Sequence, residues 1–179
     1  MHKDLKKILI DEKSIINRCL ELGQQITDDY KHDVEPPIFI ALLKGSVPFL
    51  AELVKYVNLD IELDFMDVSS YAGGTESTRD IRILKDLDRS IKGKNIIIVE
   101  DIVDTGRTLL AVTKILENKG ASGIKVVSLL DKPVRREVTV EVDYVGFEIP
   151  NEFVVGFGLD YAEKYRNLPY VGVLKDELY

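Results

Sequence analysis

NIIIVEDIVDTGRTLLAVTKILENKG, residues 95–120, carries three different patterns end to end. Residues 95–101 are almost continuously apolar until the last two, as expected of a strand buried on both faces of a sheet. That strand delivers Glu100 and Asp101 to its end. Asp104, Thr105, Gly106, Arg107 and Thr108 follow as a turn, and residues 105–120 space their apolar side chains as an amphipathic helix stopped by Gly120. A buried strand, a short loop and a helix together form the repeating unit of a parallel α/β sheet.

The flanking segments extend that reading. IFIALL (38–43) is a second buried strand, followed by a helix over 47–57. LDIELDF (59–65) alternates as a strand, 69–80 reads as a polar surface loop, and IRILKDL (81–87) as a returning strand. IKVVSLL (124–130) is the strand after the quoted helix, and short β-like pieces lie at 139–147, 153–157 and 170–174. Residues 12–30 have helical spacing with Asp11 placed as a cap. The expected fold is α/β, a parallel-sheet core with helices on both faces. Ligands of such sheets sit at the carboxyl ends of the strands. The loops at 44–46, 69–80, 100–106 and 131–137 follow four of these strands and mark that edge.

Two adjacent carboxylates at the end of an apolar strand are costly unless something pairs with them. Ribose hydroxyls or a Mg²⁺ ion would do so. The turn from Asp104 to Thr108 gathers backbone N–H groups and two hydroxyls at a helix N-terminus, which suits a phosphate, and Gly106 permits close approach. A helix cap with solvated acids is the plainer account of one acid, but three acids ahead of Thr-Gly-x-Thr exceed it. No G-x-x-x-x-G-K-[ST] motif is present.

Composition narrows the classes. The 179 residues are 45% hydrophobic and 31% charged, enough for one domain over 1–179 with a sizeable core. No run approaches membrane-spanning length, and no membrane partner is expected. The net charge of −7 argues against a nucleic-acid partner. Cys19 is the only cysteine, so no internal disulfide forms, and a reducing cytoplasmic location is expected. His2 and His32 are the only histidines, which leaves acid–base chemistry to carboxylates, lysines or tyrosines.

VEDIVDTGRT (99–108) resembles the phosphoribosyl pyrophosphate signature of the type I phosphoribosyltransferases. LLKGS (42–46), DFMDVSSY (64–71), SLLDKP (128–133) and FVVGFGLDYAEKYRNLPYVGVL (153–174) resemble, in the expected order, segments of that family's bacterial hypoxanthine-guanine branch. The resemblance implies purine salvage: Mg²⁺-dependent transfer of the phosphoribosyl group to N9 of hypoxanthine or guanine. It also implies a homodimer or homotetramer, a lid loop at about 69–80, and a base-binding hood mainly from 131–179 with the N-terminal segment.

The same resemblance distributes roles. Glu100 and Asp101 bind the ribose and metal, Asp104 exchanges the proton of purine N7, and residues 104–108 hold the 5′-phosphate. Lys44, Gly45 and Arg166 bind pyrophosphate, with a cis bond expected before Lys44. Lys132 donates to the exocyclic oxygen at purine C6, Phe153 stacks on the base, and Val154 meets its edge through the backbone. Asp160 lies beside the purine and holds a second Mg²⁺, while Ser70 and Tyr71 belong to the lid. Arg79 departs from the glycine usual among relatives. A nucleotide-sensing regulator of the same fold is the alternative, and it should lack some of these groups or add a basic face. Xanthine as the base is a nearer one.

Overall fold

The computed structural model describes residues 1–70 and 81–179. Among the described residues, strands β1 (Leu5–Ile10), β2 (Ile38–Leu42), β3 (Glu62–Ser70), β4 (Ile81–Lys85), β5 (Asn95–Val103), β6 (Gly123–Asp131), β7 (Tyr144–Glu148), β8 (Val154–Val155) and β9 (Val171–Leu174) form two sheets. The larger has the order β4-β3-β2-β5-β6-β7, parallel throughout except for β4, which returns antiparallel to β3. Helices α1 (Glu12–Tyr30) and α2 (Val47–Leu53) cover one face and α3 (Arg107–Asn118) the other.

Strand side chains alternate between these layers, as a period of two requires. Phe39, Ala41, Ile97 and Val99 pack with Ile15, Leu22, Ile26 and Phe49 beneath α1 and α2. Ile38, Ile40, Ile96 and Ile98 pack with Leu109, Val112 and Leu116 beneath α3. Burial on both sides is why β2 and β5 read as unbroken apolar runs. Helix α1 begins where its cap was expected, the Asp11 carboxylate accepting from the Ser14 N–H at 2.8 Å.

The smaller sheet, order β1-β9-β8, is antiparallel and joins the two ends of the chain. Strand β1 was not expected, because full burial is confined to Leu5 and Ile10 at its ends, with Lys6, Lys7 and Ile8 exposed between them. Its partner is β9, more than 160 residues away, and no local pattern announces such pairing.

Several boundaries differ from expectation. β5 continues to Val103, so Glu100 and Asp101 lie within the strand rather than at its end, held there by pairing with β6. β3 starts at Glu62 and extends through Ser70, because Ser69 and Ser70 pair with Arg82 and Ile81; the expected loop therefore does not begin at 69. α2 stops at Leu53 and ends in a 3-10 turn over Val54–Tyr56. Residues 139–143 are not strand, and β7 occupies only Tyr144–Glu148. The expectations for Tyr71 and Arg79 fall outside the described residues, and for Ser70 only the backbone is described. No helix among the described residues is long and apolar enough to cross a membrane.

Candidate active site

The carboxyl ends of β2, β5 and β6 lie side by side, and the loops that leave them enclose the site. β5 carries Glu100 and Asp101 as consecutive residues, and both border the same cavity. Glu100 is 8% exposed, and burial, followed by the neighbouring Asp101 charge, raises its carboxyl well above the ordinary range. Asp101 is pushed up to about 6, mainly by burial. The Ile102 N–H donates to its carboxylate at 2.8 Å and, with the Arg166 charge, partly offsets that rise. Gly45 packs so tightly on Asp101 that a methyl group there would overlap the carboxylate. The peptide bond between Leu43 and Lys44 is cis.

Both acids line a cavity of about 220 Å³, closed by Asp104, Thr105, Gly106 and Thr108. Gly106, rather than Asp104 or Thr105, is the N-cap of α3, with φ +82 and no side-chain cap. The Arg107 N–H donates to Thr105 Oγ1 at a long 3.4 Å, and this helix N-terminus suits an anion.

Lys132 is 7% exposed, and its backbone N–H donates to the Val103 carbonyl at 3.0 Å. Burial lowers its ammonium pKa, opposed by the charge of Asp104. Asp104 itself is engaged by Arg135 Nε at 3.0 Å. Arg136 Nη1 donates to the carbonyls of Val103 and Asp104, at 3.1 and 2.6 Å, while its other nitrogen pairs with Asp131. The Glu137 N–H donates to the Thr105 carbonyl at 3.0 Å, and Arg107 pairs with Glu137. Residues 135–137 therefore strap the turn that carries Asp104. Sequence reading missed this strap, because its only signal is the Arg135-Arg136 doublet and a doublet does not say what it touches.

From the other side come Asp160 and Arg166, paired at 2.9 Å, with Arg166 Nη1 donating to the Gly158 carbonyl at 2.8 Å. Lys44 meets this group through Glu163. Phe153 belongs to the small sheet's cluster with Leu5, Val155 and Leu174. One face of its ring is stacked by Tyr179 (centroids 4.5 Å, 24°), and Tyr161 stands edge-on at 5.6 Å. Val154 is buried in β8 beside it.

The donor set suits a hard cation. Mg²⁺ uses one or two carboxylates and completes its shell with phosphate and water oxygens. The buried Glu100 and the partly buried Asp101, both held toward the protonated form, are such donors, and a cation beside them would offset their cost. Among the described residues no cluster of three or more His, Cys, Asp or Glu side chains forms a protein-only metal cage.

A parallel sheet with an acid pair, a helix-terminus phosphate turn and a buried lysine on one edge defines a class that handles phosphorylated sugars. Residues 7–162 match the phosphoribosyl transferase domain family, and the chain belongs to it. The chain is 54% identical over its whole length to a hypoxanthine-guanine phosphoribosyltransferase of Streptococcus thermophilus, covering 98% of that protein. A crystal structure of a hypoxanthine phosphoribosyltransferase from Staphylococcus aureus superposes with a TM-score of 0.94 at 51% identity, over all of this chain and 96% of that one. A Trypanosoma cruzi hypoxanthine phosphoribosyltransferase in complex with the product IMP gives 0.93 at 38% identity, over 100% and 99%. The fold is that of the type I phosphoribosyltransferases.

Proposed function

We propose that this chain is a purine-salvage enzyme. It transfers the phosphoribosyl group from phosphoribosyl pyrophosphate to N9 of hypoxanthine or guanine, giving IMP or GMP and pyrophosphate. The observation that carries the reading is the cavity lined by the acids Glu100 and Asp101 and by the turn at the N-terminus of α3. A ribose 5-phosphate needs both: hydroxyl acceptors at one end and a phosphate cradle of Thr105, Gly106, Arg107 and Thr108 at the other.

Each residue then has a task. Asp104 accepts the N7 proton as the N9 lone pair forms the bond to the anomeric carbon. The bond from that carbon to the pyrophosphate oxygen breaks, and the leaving group takes the electron pair. Lys44, Arg166 and the Gly45 backbone receive that charge, with Asp160 beside them. Lys132 donates to the oxygen at purine C6 and offers an amino group at that position only another donor. Phe153, which Tyr179 already stacks on, would stack on the base, and Val154 holds the base edge through the backbone. The small sheet and the strap at 135–137 form the hood over the base. Glu100, Asp101 and Asp160 would hold Mg²⁺, which would offset the negative charge that develops on the departing pyrophosphate.

The test offers hypoxanthine, guanine, xanthine and adenine separately with phosphoribosyl pyrophosphate and Mg²⁺, following nucleotide formation by ultraviolet absorbance. Hypoxanthine and guanine turn over, and Asp104→Asn lowers kcat by about 10²- to 10⁴-fold, the usual contribution of a positioned acid–base group. Binding of phosphoribosyl pyrophosphate with no base converted would instead identify a nucleotide sensor.

A further inference from the structure

The two cations read as the leaving-group site are already occupied by a carboxylate of this chain. Lys44 Nζ lies 3.2 Å from Glu163 Oε2, and Arg166 Nη2 lies 3.2 Å from Glu163 Oε1. One carboxylate therefore joins Arg166, three residues along its own loop, to Lys44, which lies 119 residues from Glu163 in sequence. We propose that Glu163 is an internal counter-anion, holding Lys44 and Arg166 together in the free protein and giving way when a pyrophosphate group arrives. This rests on the reading of Lys44 and Arg166 as pyrophosphate ligands.

The backbone around Glu163 is built to aim it. Ala162, Glu163 and Tyr165 have φ of +50, +61 and +76, a region that non-glycine residues seldom occupy and that costs free energy at each position. The turn is held by reciprocal hydrogen bonds between Tyr161 and Lys164, at 3.2 and 3.1 Å, and by the Glu163 N–H donating to Asp160 at 2.9 Å. Glu163 is thus fixed relative to Asp160, which shares Arg166 Nη2 with it at 2.9 Å. Hydrogen bonding from Lys44, followed by that from Arg166, lowers the Glu163 carboxyl below the ordinary glutamate value, so it is charged throughout the neutral range.

The strength of the contact fits a device meant to be released. The side chains of Lys44 and Glu163 are 64% and 66% exposed, and exposed ion pairs are weak. A bound diphosphate, with several formal charges and bidentate oxygens, outcompetes a single carboxylate. Arg166 Nε, buried and without a hydrogen-bond partner among the described residues, leaves a further donor for that exchange. The carboxylate prevents mutual repulsion of the two cations in the free state, and its displacement is a cost that weakens anion affinity.

Titration calorimetry of inorganic pyrophosphate with Mg²⁺ on the full chain tests this. Glu163→Gln should tighten binding about 3- to 10-fold, the expected worth of two exposed pairs. Glu163→Asn, which suits the left-handed backbone, should do the same and guards against misfolding of the first variant. In a Lys44→Ala background the gain should shrink, because one of the two contacts has gone. Unchanged or weaker binding in the Glu163 variants overturns the proposal, and so does an equal gain in both backgrounds, which marks a general charge effect. If Lys44→Ala alone leaves affinity unchanged, the leaving-group reading itself fails. If that variant weakens binding while Glu163→Gln does not tighten it, only the counter-anion role falls.

Discussion

At the scale of single residues, the site is organised by what burial does to charge. Lys132 is the sharpest case, since DKP at 131–133 has the composition of a solvated turn, yet its side chain is almost wholly enclosed. A buried ammonium needs acceptors. In the proposed reaction the purine C6 oxygen would supply one, and the charge of Asp104 helps keep the lysine protonated. Replacing Lys132 by Met keeps the bulk and removes the donor, which leaves a buried carbonyl unpaired at a cost of about 1–3 kcal/mol. The expected outcome is a roughly 5- to 150-fold fall in kcat/KM for hypoxanthine with a smaller change for adenine, so discrimination narrows. Steady-state kinetics on both bases checks this, and an equal fall for both would deny Lys132 a role at C6.

At the scale of elements, the decisive junction is β5 to α3. β5 is fixed by β2 and β6 on either side, so the position of Gly106 relative to the acids is set by the sheet. Gly106 has φ +82, and a β-carbon there would lie 2.8 Å from Val140 Cγ2 and 3.0 Å from Arg136 Cδ. Gly106→Ala therefore combines backbone strain with a clash against the strap, costing about 1–3 kcal/mol. Thermal unfolding should register that loss. The KM for phosphoribosyl pyrophosphate should rise as well, because the first N–H groups of α3 are re-aimed. A loss of stability with unchanged KM would separate the turn from phosphate binding.

At the scale of the whole molecule, the acid pair couples the site to folding. Glu100 and Asp101 hold their protons to higher pH in the folded than in the unfolded chain, Asp101 to about 6. Between the ordinary carboxylate range and that value the folded state binds more protons, so their contribution to stability is present at low pH and lost as pH rises. The double variant Glu100→Gln, Asp101→Asn removes this dependence. Thermal unfolding from pH 4.5 to about 8 should show the variant gaining on the wild-type chain as pH rises through about 6. Mg²⁺ with phosphoribosyl pyrophosphate should close the gap by stabilising only the wild-type chain. A pH-independent offset would place the cost elsewhere.

The sequence by itself determined the strand–helix alternation, the buried β2 and β5, the capped α1, and the acidic loop with its Thr-Gly-x-Thr turn. These are legible because hydrophobic period and turn chemistry report the environment each residue sees along one element. Tertiary structure alone decided the rest. It paired β1 with β9, extended β5 past its acids by ladder bonds to β6, buried Lys132, and pressed Gly45 against Asp101. It also brought Arg135 to Asp104, and Glu163 to both Lys44 and Arg166. Apart from the local Glu163–Arg166 pair, these contacts join residues tens to more than a hundred positions apart. Their energies come from desolvation and charge pairing across loops, and such terms exist only once the sheet has fixed where each loop ends.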